Sequence, residues 1–482
     1  MAHGGGPVAE GSSIYEEGEG NSSRVVQIAV VAALGGLLFG YDSAVINGAT
    51  KSIEKVFGIH GYALGFAVAS ALIGAAAGAM TAGRIADAIG RVRVMQIAAV
   101  LFLISAVGCA FANHIWLLIL FRLVGGVGVG VASVIAPAYI AEVSPARIRG
   151  RLGSLQQMAI VLGIFLSLLV DWLLASLAGD ASNVLWLGME AWRWMFLVMA
   201  IPAIVYGAAS MMIPESPRYL VSRHRIPEAR KVLTMLLGEK NLDLTVTRIE
   251  ESLAGEEKHS WRDLVRPGGG IYPIVWVGLL LSIFQQAVGI NVIFYYSNML
   301  WQAVGFKPEQ SNQISVFTSI VNVLVTIVAI MLVDRIGRRP LLLIGSIGMA
   351  VSLATMAVCF STATDVNGSP SLSGAVGVIA LIAANLFVIF FGVSWGPVVW
   401  VLLGEMFPNR IRGAALSLAA AAQWAANWAI TVTFPKMEGN LTLAYGLYAT
   451  FAVLSLIFVY RFVPETKGRT LEDMDGSIPA RH

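Results

Sequence analysis

A nine-residue pattern, E-x-x-P-x-R-I-R-G, occurs twice in this chain, at Glu142–Gly150 and at Glu405–Gly413, 263 residues apart. Each copy has an echo upstream. ADAIGR (Ala86–Arg91) and VDRIGR (Val333–Arg338) place Asp87 and Asp334 247 residues apart. These offsets are a little over half of the 482 residues, so the chain is built from two like halves. Only 13% of the residues are charged and 57% are hydrophobic, whereas a soluble domain carries roughly 25% charged residues. Too little charge remains to cover a surface in water, and lipid is the expected solvent. Two like halves in a membrane are the signature of a carrier that exposes one central site to each side in turn.

Runs of about 20 apolar residues number twelve: 25–48, 62–82, 92–112, 116–140, 152–176, 193–213, 272–300, 312–333, 340–362, 375–402, 413–435 and 441–463. Lipid offers the backbone no hydrogen-bond partner and the alternation of barrel strands is absent, so each run reads as a helix. The expected fold is an all-α membrane protein of twelve transmembrane helices in two six-helix halves with a cytoplasmic helical layer. Arg84, Arg91 and Arg93 lie between spans two and three, and Arg147, Arg149 and Arg151 between four and five. Arg335, Arg338 and Arg339 follow span eight, and Arg410 and Arg412 follow span ten. By the positive-inside rule both termini are cytoplasmic and the protein is multi-pass in the cell membrane.

The expected organisation is a disordered cytoplasmic tail at 1–23, a six-helix bundle at 24–213, a helical linker at 214–271, a second bundle at 272–463 and a cytoplasmic tail at 464–482. The first 23 residues are polar and acidic, without the cationic start of a secretory signal. Within the linker, EARKVLTML and TRIEESL have the spacing of short amphipathic helices. A net charge of +3 argues for no nucleic-acid partner. Cys109 and Cys359 lie in apolar runs and form neither a disulfide framework nor a metal spacing. The run Gly125–Gly130 lies inside a span, where it serves close helix approach rather than phosphate binding. No catalytic nucleophile, metal cluster or cofactor motif stands out, so an enzyme is not expected.

Ionisable groups deep in a span are costly and mark function. Asp42 in span one and Arg122 in span four lie at matching depths, which predicts an ion pair. Protonation of Asp42 would break that pair, because a nearby cation favours the charged carboxylate and burial the neutral one. Asp171 lies near the end of its run and reads as interfacial. Neutral amides are the next group. Span seven carries Gln285, Gln286, Asn291 and Tyr295, with Gly289 permitting a bend. Gln157, Asn322 and Gln423 add amides from other spans. Such groups donate and accept without charge, as a polyhydroxylated neutral ligand requires. Phe39, Trp400 and Trp424 supply faces on which a sugar ring can stack. Gly83, Asp87, Arg91, Glu142 and Arg149, with Glu215, Arg218, Asp334, Arg338, Glu405 and Arg412, form matched cytoplasmic charge clusters. They are expected to gate the halves.

Taken together, FGYDSAVING (Phe39–Gly48), GRIADAIGR (Gly83–Arg91), PAYIAEVSPARIRG (Pro137–Gly150), PESPRYL (Pro214–Leu220), QQAVGIN (Gln285–Asn291), VDRIGRRP (Val333–Pro340), GEMFPNRIRG (Gly404–Gly413) and PETKG (Pro464–Gly468) closely resemble the sugar porter family of the major facilitator superfamily. The resemblance covers residues 25–470 and is strongest to bacterial glucose and xylose proton symporters. It implies a central sugar site at Gln157, Gln285, Gln286, Asn291, Asn322, Trp400, Gln423 and Trp424, with Phe39 nearby. It also implies proton coupling through Asp42 with Arg122. Two positions depart from the pattern. Met199 stands where some symporters place a membrane-embedded Glu, and Ile164 where the xylose symporter has a second Gln. The second departure favours a hexose, glucose being the single choice, as the cargo of a proton symporter acting as a monomer. The alternatives are a facilitative uniporter or a sugar-sensing receptor, the latter disfavoured by the roughly 20 residues after the last span.

Overall fold

The computed structural model describes residues 22–238, 241–254 and 261–466, with side chains at all of these except 146–151, 333–334, 369, 404–405, 409–410 and 412–413. The first half comprises α1 (Ser22–Ala44), α2 (Ile46–Phe57), α3 (Tyr62–Ile89), α4 (Arg91–Phe111), α5 (Ile115–Val143), α6 (Ala146–Ala178), α7 (Ala191–Val198) and α8 (Ala200–Ser210). Three short helices follow: α9 (Pro217–Ser222), α10 (Ile226–Leu237) and α11 (Leu242–Ala254). The second half comprises α12 (Pro273–Ala287), α13 (Ile290–Ala303), α14 (Pro308–Ile336), α15 (Arg338–Ser361), α16 (Gly374–Val393), α17 (Trp395–Met406), α18 (Asn409–Met437) and α19 (Leu441–Phe462).

Four crossings are broken helices, α1–α2, α7–α8, α12–α13 and α16–α17. The apolar stretch Ala414–Phe462 is interrupted by a 3-10 turn at Glu438–Asn440. Its 49 residues, at ~1.5 Å each, are more than twice the thickness of a bilayer core, so α18 and α19 cross separately and the crossings among the described residues number twelve. Three details differ from the sequence reading. Helix α1 begins at Ser22 and takes in the last two residues assigned to the tail. Span one does not stop at 48 but continues after a break at Val45 to Phe57, because α2 is amphipathic and its Lys51, Glu54 and Lys55 end the apolar run early. Two hairpins, β1 (Val184–Trp186) with β2 (Met189–Glu190) and β3 (Thr364–Val366) with β4 (Ser369–Ser371), make the chain nearly rather than wholly helical.

Glycine sets the close contacts. A Cβ on Gly126 or Gly130 of α5 would lie 2.0 Å from the Ala71 carbonyl and 2.1 Å from the Ala75 carbonyl of α3. The expected bend at Gly289 is present: with φ +84° it separates α12 from α13.

The repeated motifs occupy equivalent turns. Each upstream echo ends a helix at a glycine with positive φ, Gly90 (102°) and Gly337 (96°), and the next helix starts at once. Glu215 accepts the Arg91 and Val92 backbone N–H groups at 3.1 and 3.2 Å. Glu465 accepts those of Arg338 and Arg339 at 3.2 and 3.1 Å. These carboxylates satisfy the free donors of α4 and α15 and complement their dipoles. The Pro-Glu-Ser and Pro-Glu-Thr strings thus close each half in the same way.

Candidate functional site

An even number of crossings puts the start of α1 and the end of α19 on one face, the terminal face. On the opposite face the two halves touch. Asn47 of α2 accepts the backbone N–H of Asn298 of α13 at 2.8 Å. Ala44 and Leu168 of the first half bury Val316 of the second. A Cβ on Gly65 of α3 would lie 2.1 Å from the Val432 carbonyl of α18.

The predicted amides of the second half form two hydrogen-bonded sets. Gln285 is the hub of one set: its Nε2 donates to the Trp395 and Gly396 carbonyls at 2.9 and 3.1 Å, and its Oε1 accepts from Gln423 at 2.5 Å. Those carbonyls belong to the first turn of α17, just after the α16–α17 break, and each has a second lone pair to accept with. Asn291 donates to Gln286 Oε1 at 2.5 Å, across the α12–α13 break. Tyr295 lies near Asn427, Asp42 and Arg122. Phe39, Asn291, Tyr295, Asn322, Gln423 and Trp424 are half-buried, and Gln157 and Trp400 are exposed. Amides facing lipid are costly, so the partly exposed ones are expected to face water rather than hydrocarbon. With the far face closed, water would reach them from the terminal face. Sequence reasoning missed Asn427 and the two carbonyls. Asn427 lies one helical turn after Gln423, a spacing that puts both on one side of α18.

Asp42 and Arg122 are both buried and adjacent, but the expected ion pair is not made in this state. Arg122 Nη1 donates to the backbone carbonyl of Asp42 (3.0 Å), and Nη2 to that of Val68 (3.3 Å). Helix α1 ends two residues later, so the carbonyls of its last turn are available, and the guanidinium takes one. Asp42 Oδ2 is left without a hydrogen-bond partner. Ser105 and Gly125 flank the carboxyl: a Cβ on Gly125 would meet Ser105 Oγ at 2.3 Å and Asp42 Oδ1 at 3.0 Å.

Asp171 corrects a second expectation. It is 1% exposed rather than interfacial. Its Oδ2 accepts the Gly48 N–H at 3.0 Å, in the first turn of α2, and Oδ1 has no partner. The residue is buried because the first turn of α2 packs against it at Gly48. Of the adjacent glutamines, Gln157 is exposed, whereas Gln156 is buried against Gly36.

On the terminal face Arg91 makes a two-pronged bond to Glu142 (3.0 and 2.9 Å) and pairs with Asp87 at 3.0 Å. Ser216 donates to Glu142, and Tyr139 to the Pro214 carbonyl at 2.6 Å. Burial raises the Glu215 carboxyl above its ordinary value, opposed by the N–H bonds of Ser216, Val92 and Arg91 and by the Arg91 charge. Arg218 donates to Ser252 of α11 at 3.1 Å, tying the linker helices together. These contacts run within one half and its linker. Gly83 borders open space, and Arg338 is buried beneath Glu465, which accepts its backbone N–H. The side chains of Arg149, Asp334, Glu405 and Arg412 lie outside the described residues.

Two six-helix halves that touch on one face, with hydrogen-bonded amides at their broken helices, define a secondary transporter of the major facilitator architecture. The chain belongs to the sugar (and other) transporter family, whose profile matches residues 28–477. It is similar to the glucose transport protein of a Synechocystis species, with 52% identity over 466 residues, covering 96% of this chain and 99% of that one. It is also similar to the D-xylose-proton symporter of Escherichia coli K12, with 39% identity over 489 residues and coverage of 94% and 96%. The structure matches the inward-open conformation of the E. coli xylose transporter XylE with a TM-score of 0.81 and 38% identity, covering 94% of this chain and 100% of that one.

Proposed function

We propose that this protein is a proton-coupled symporter that imports a hexose, glucose, by alternating access. It works as a monomer in the cell membrane with both termini in the cytoplasm, so the terminal face is cytoplasmic and the described state is inward-open. The observation that carries coupling is the Asp42 carboxyl: buried, with Oδ2 unpartnered, beside an arginine bonded to its backbone instead. A proton can join or leave that carboxyl without Arg122 losing its carbonyl partners. When Asp42 is ionised the guanidinium is its nearest counter-charge, and a swing of Arg122 from carbonyl to carboxylate would alter the α1–α5 contact.

Sugar hydroxyls are offered the free lone pairs and N–H groups of Gln285, Gln286, Asn291, Asn322, Gln423 and Gln157, while Trp400, Trp424 and Phe39 border the ring. The relative named as a glucose transport protein supports glucose, and the proton-symporter relative supports coupling. Tyr295, near Asn427 and within reach of the Asp42 and Arg122 charges, joins the two sites. The terminal-face clusters around Arg91, Glu142 and Glu215, with their second-half counterparts, act as the cytoplasmic gate.

The test is radiolabelled glucose uptake into proteoliposomes under an imposed inward proton gradient. Wild type is expected to accumulate glucose above the outside concentration. Asp42→Asn is expected to lose accumulation while keeping glucose exchange. Uptake that merely equilibrates in wild type would make the protein a uniporter and Asp42–Arg122 a structural contact.

A further inference from the structure

Lys51 of α2 and Glu438, in the turn between α18 and α19, belong to opposite halves, 387 positions apart, yet Lys51 Nζ lies 2.6 Å from Glu438 Oε1. Both side chains are partly shielded, with 34% and 24% of their surface exposed. Below them lies the Asn47–Asn298 bond, which also crosses between halves, and behind Asn298 stands a chain of amides in which Gln302 donates to Asn298 and Asn298 to Asn312 at 2.5 Å. A polar cavity of about 130 Å³ opens beside the pair, with Lys51, Asn298 and Gln302 in its lining. Asp180 and Glu309 are the other charged groups there, but neither forms an ion pair with Lys51.

We infer that Lys51 and Glu438 form a charge latch that holds the extracellular gate shut while the sugar crevice is open to the cytoplasm. The two groups sit on elements that must separate when the carrier turns outward, so the pair exists only in the closed-outside state and biases the equilibrium toward it. An ion pair this exposed contributes modestly. It therefore tunes the population of the outward-facing state by about two- to fivefold rather than locking the carrier. It also weakens as salt screens it. The inference rests on the orientation proposed above but not on the identity of the sugar.

Val316 reports the gate, because it is buried against Ala44 and Leu168 of the other half, a contact that separation of the halves on this face would break. Val316→Cys, in a chain with Cys109→Ser and Cys359→Ser, would be labelled with a membrane-impermeant thiol reagent. Labelling is measured separately in intact cells and in inverted membranes. Lys51→Glu and Glu438→Lys are each expected to speed labelling about two- to fivefold. The double reversal, which restores opposite charges, should return the rate to near wild type, and added salt should raise the wild-type rate toward that of the single variants. Unchanged rates in both single variants, or a double variant as fast as either single, would overturn the latch. The side from which the reagent reacts reads the orientation separately, so a wrong orientation and an absent latch give different results. Both side chains are partly exposed, and size-exclusion profiles of the purified variants exclude misfolding as the source of faster labelling.

Discussion

Asp171 shows how much a single buried side chain can decide. Its carboxyl holds the first turn of α2 through the Gly48 N–H, and a Cβ on Gly48 would lie 2.6 Å from it, so the fit has no slack. Asp171→Asn keeps an acceptor of the same shape and is expected to preserve the thermal midpoint. Asp171→Leu orphans a buried donor and is expected to cost about 1–3 kcal/mol, read as a lower midpoint in detergent. Glu215 carries a pH dependence of definite sign. Burial raises it above 4.5, its ordinary value, so between the two values the folded chain holds a proton that the unfolded chain has released. Stability should fall as pH rises through that window and then level off. Glu215→Gln should remove the slope, which thermal unfolding across the window would reveal.

At the scale of elements, the broken helices place the site. Gln286 and Asn291 bond across the α12–α13 break, and Gln285 reads carbonyls at the α16–α17 break. Gly289 permits the first break: its φ of +84° lies in the left-handed region, and a Cβ would lie 2.7 Å from the Tyr448 ring. Gly289→Ala is expected to cost about 1–2 kcal/mol in backbone strain alone. It should also weaken glucose binding, because Gln286 and Asn291 lose their register. Isothermal titration beside a thermal melt separates the two effects. A melt shift without loss of affinity would make the break merely tolerated.

At the scale of the whole molecule, contacts within a half and contacts between halves answer to different measurements. A Cβ on Gly126 meets α3 in the same half, 2.0 Å from a carbonyl, whereas a Cβ on Gly65 meets α18 in the other half at 2.1 Å. Gly126→Val overpacks a rigid bundle and is expected to cost about 1–3 kcal/mol in stability. Gly65→Val leaves each bundle intact but prevents closure of the far face. It is expected to melt near wild type while net uptake falls more than tenfold, because the carrier cannot complete its cycle. Equal losses of stability in both variants would mean that the halves do not move as separate bodies.

The sequence by itself determined the twelve crossings, the two-half plan and the bend at Gly289. Each of these follows from composition or spacing along the chain, which a bilayer reads directly: apolar length sets a crossing, and a repeated motif sets equivalent turns. Only the tertiary structure decided how the candidate site residues bond. Arg122 chose the carbonyl of Asp42 over its carboxylate because α1 ends beside it. Gln157 rather than Gln156 is exposed because neighbours on a helix point about 100° apart and the rotation of α6 is set by its packing partners. Asp171 became a buried acceptor because the first turn of α2 packs onto it at Gly48. Bonding and burial depend on which surfaces meet across distances of 80 or 120 residues, and that information is carried by packing.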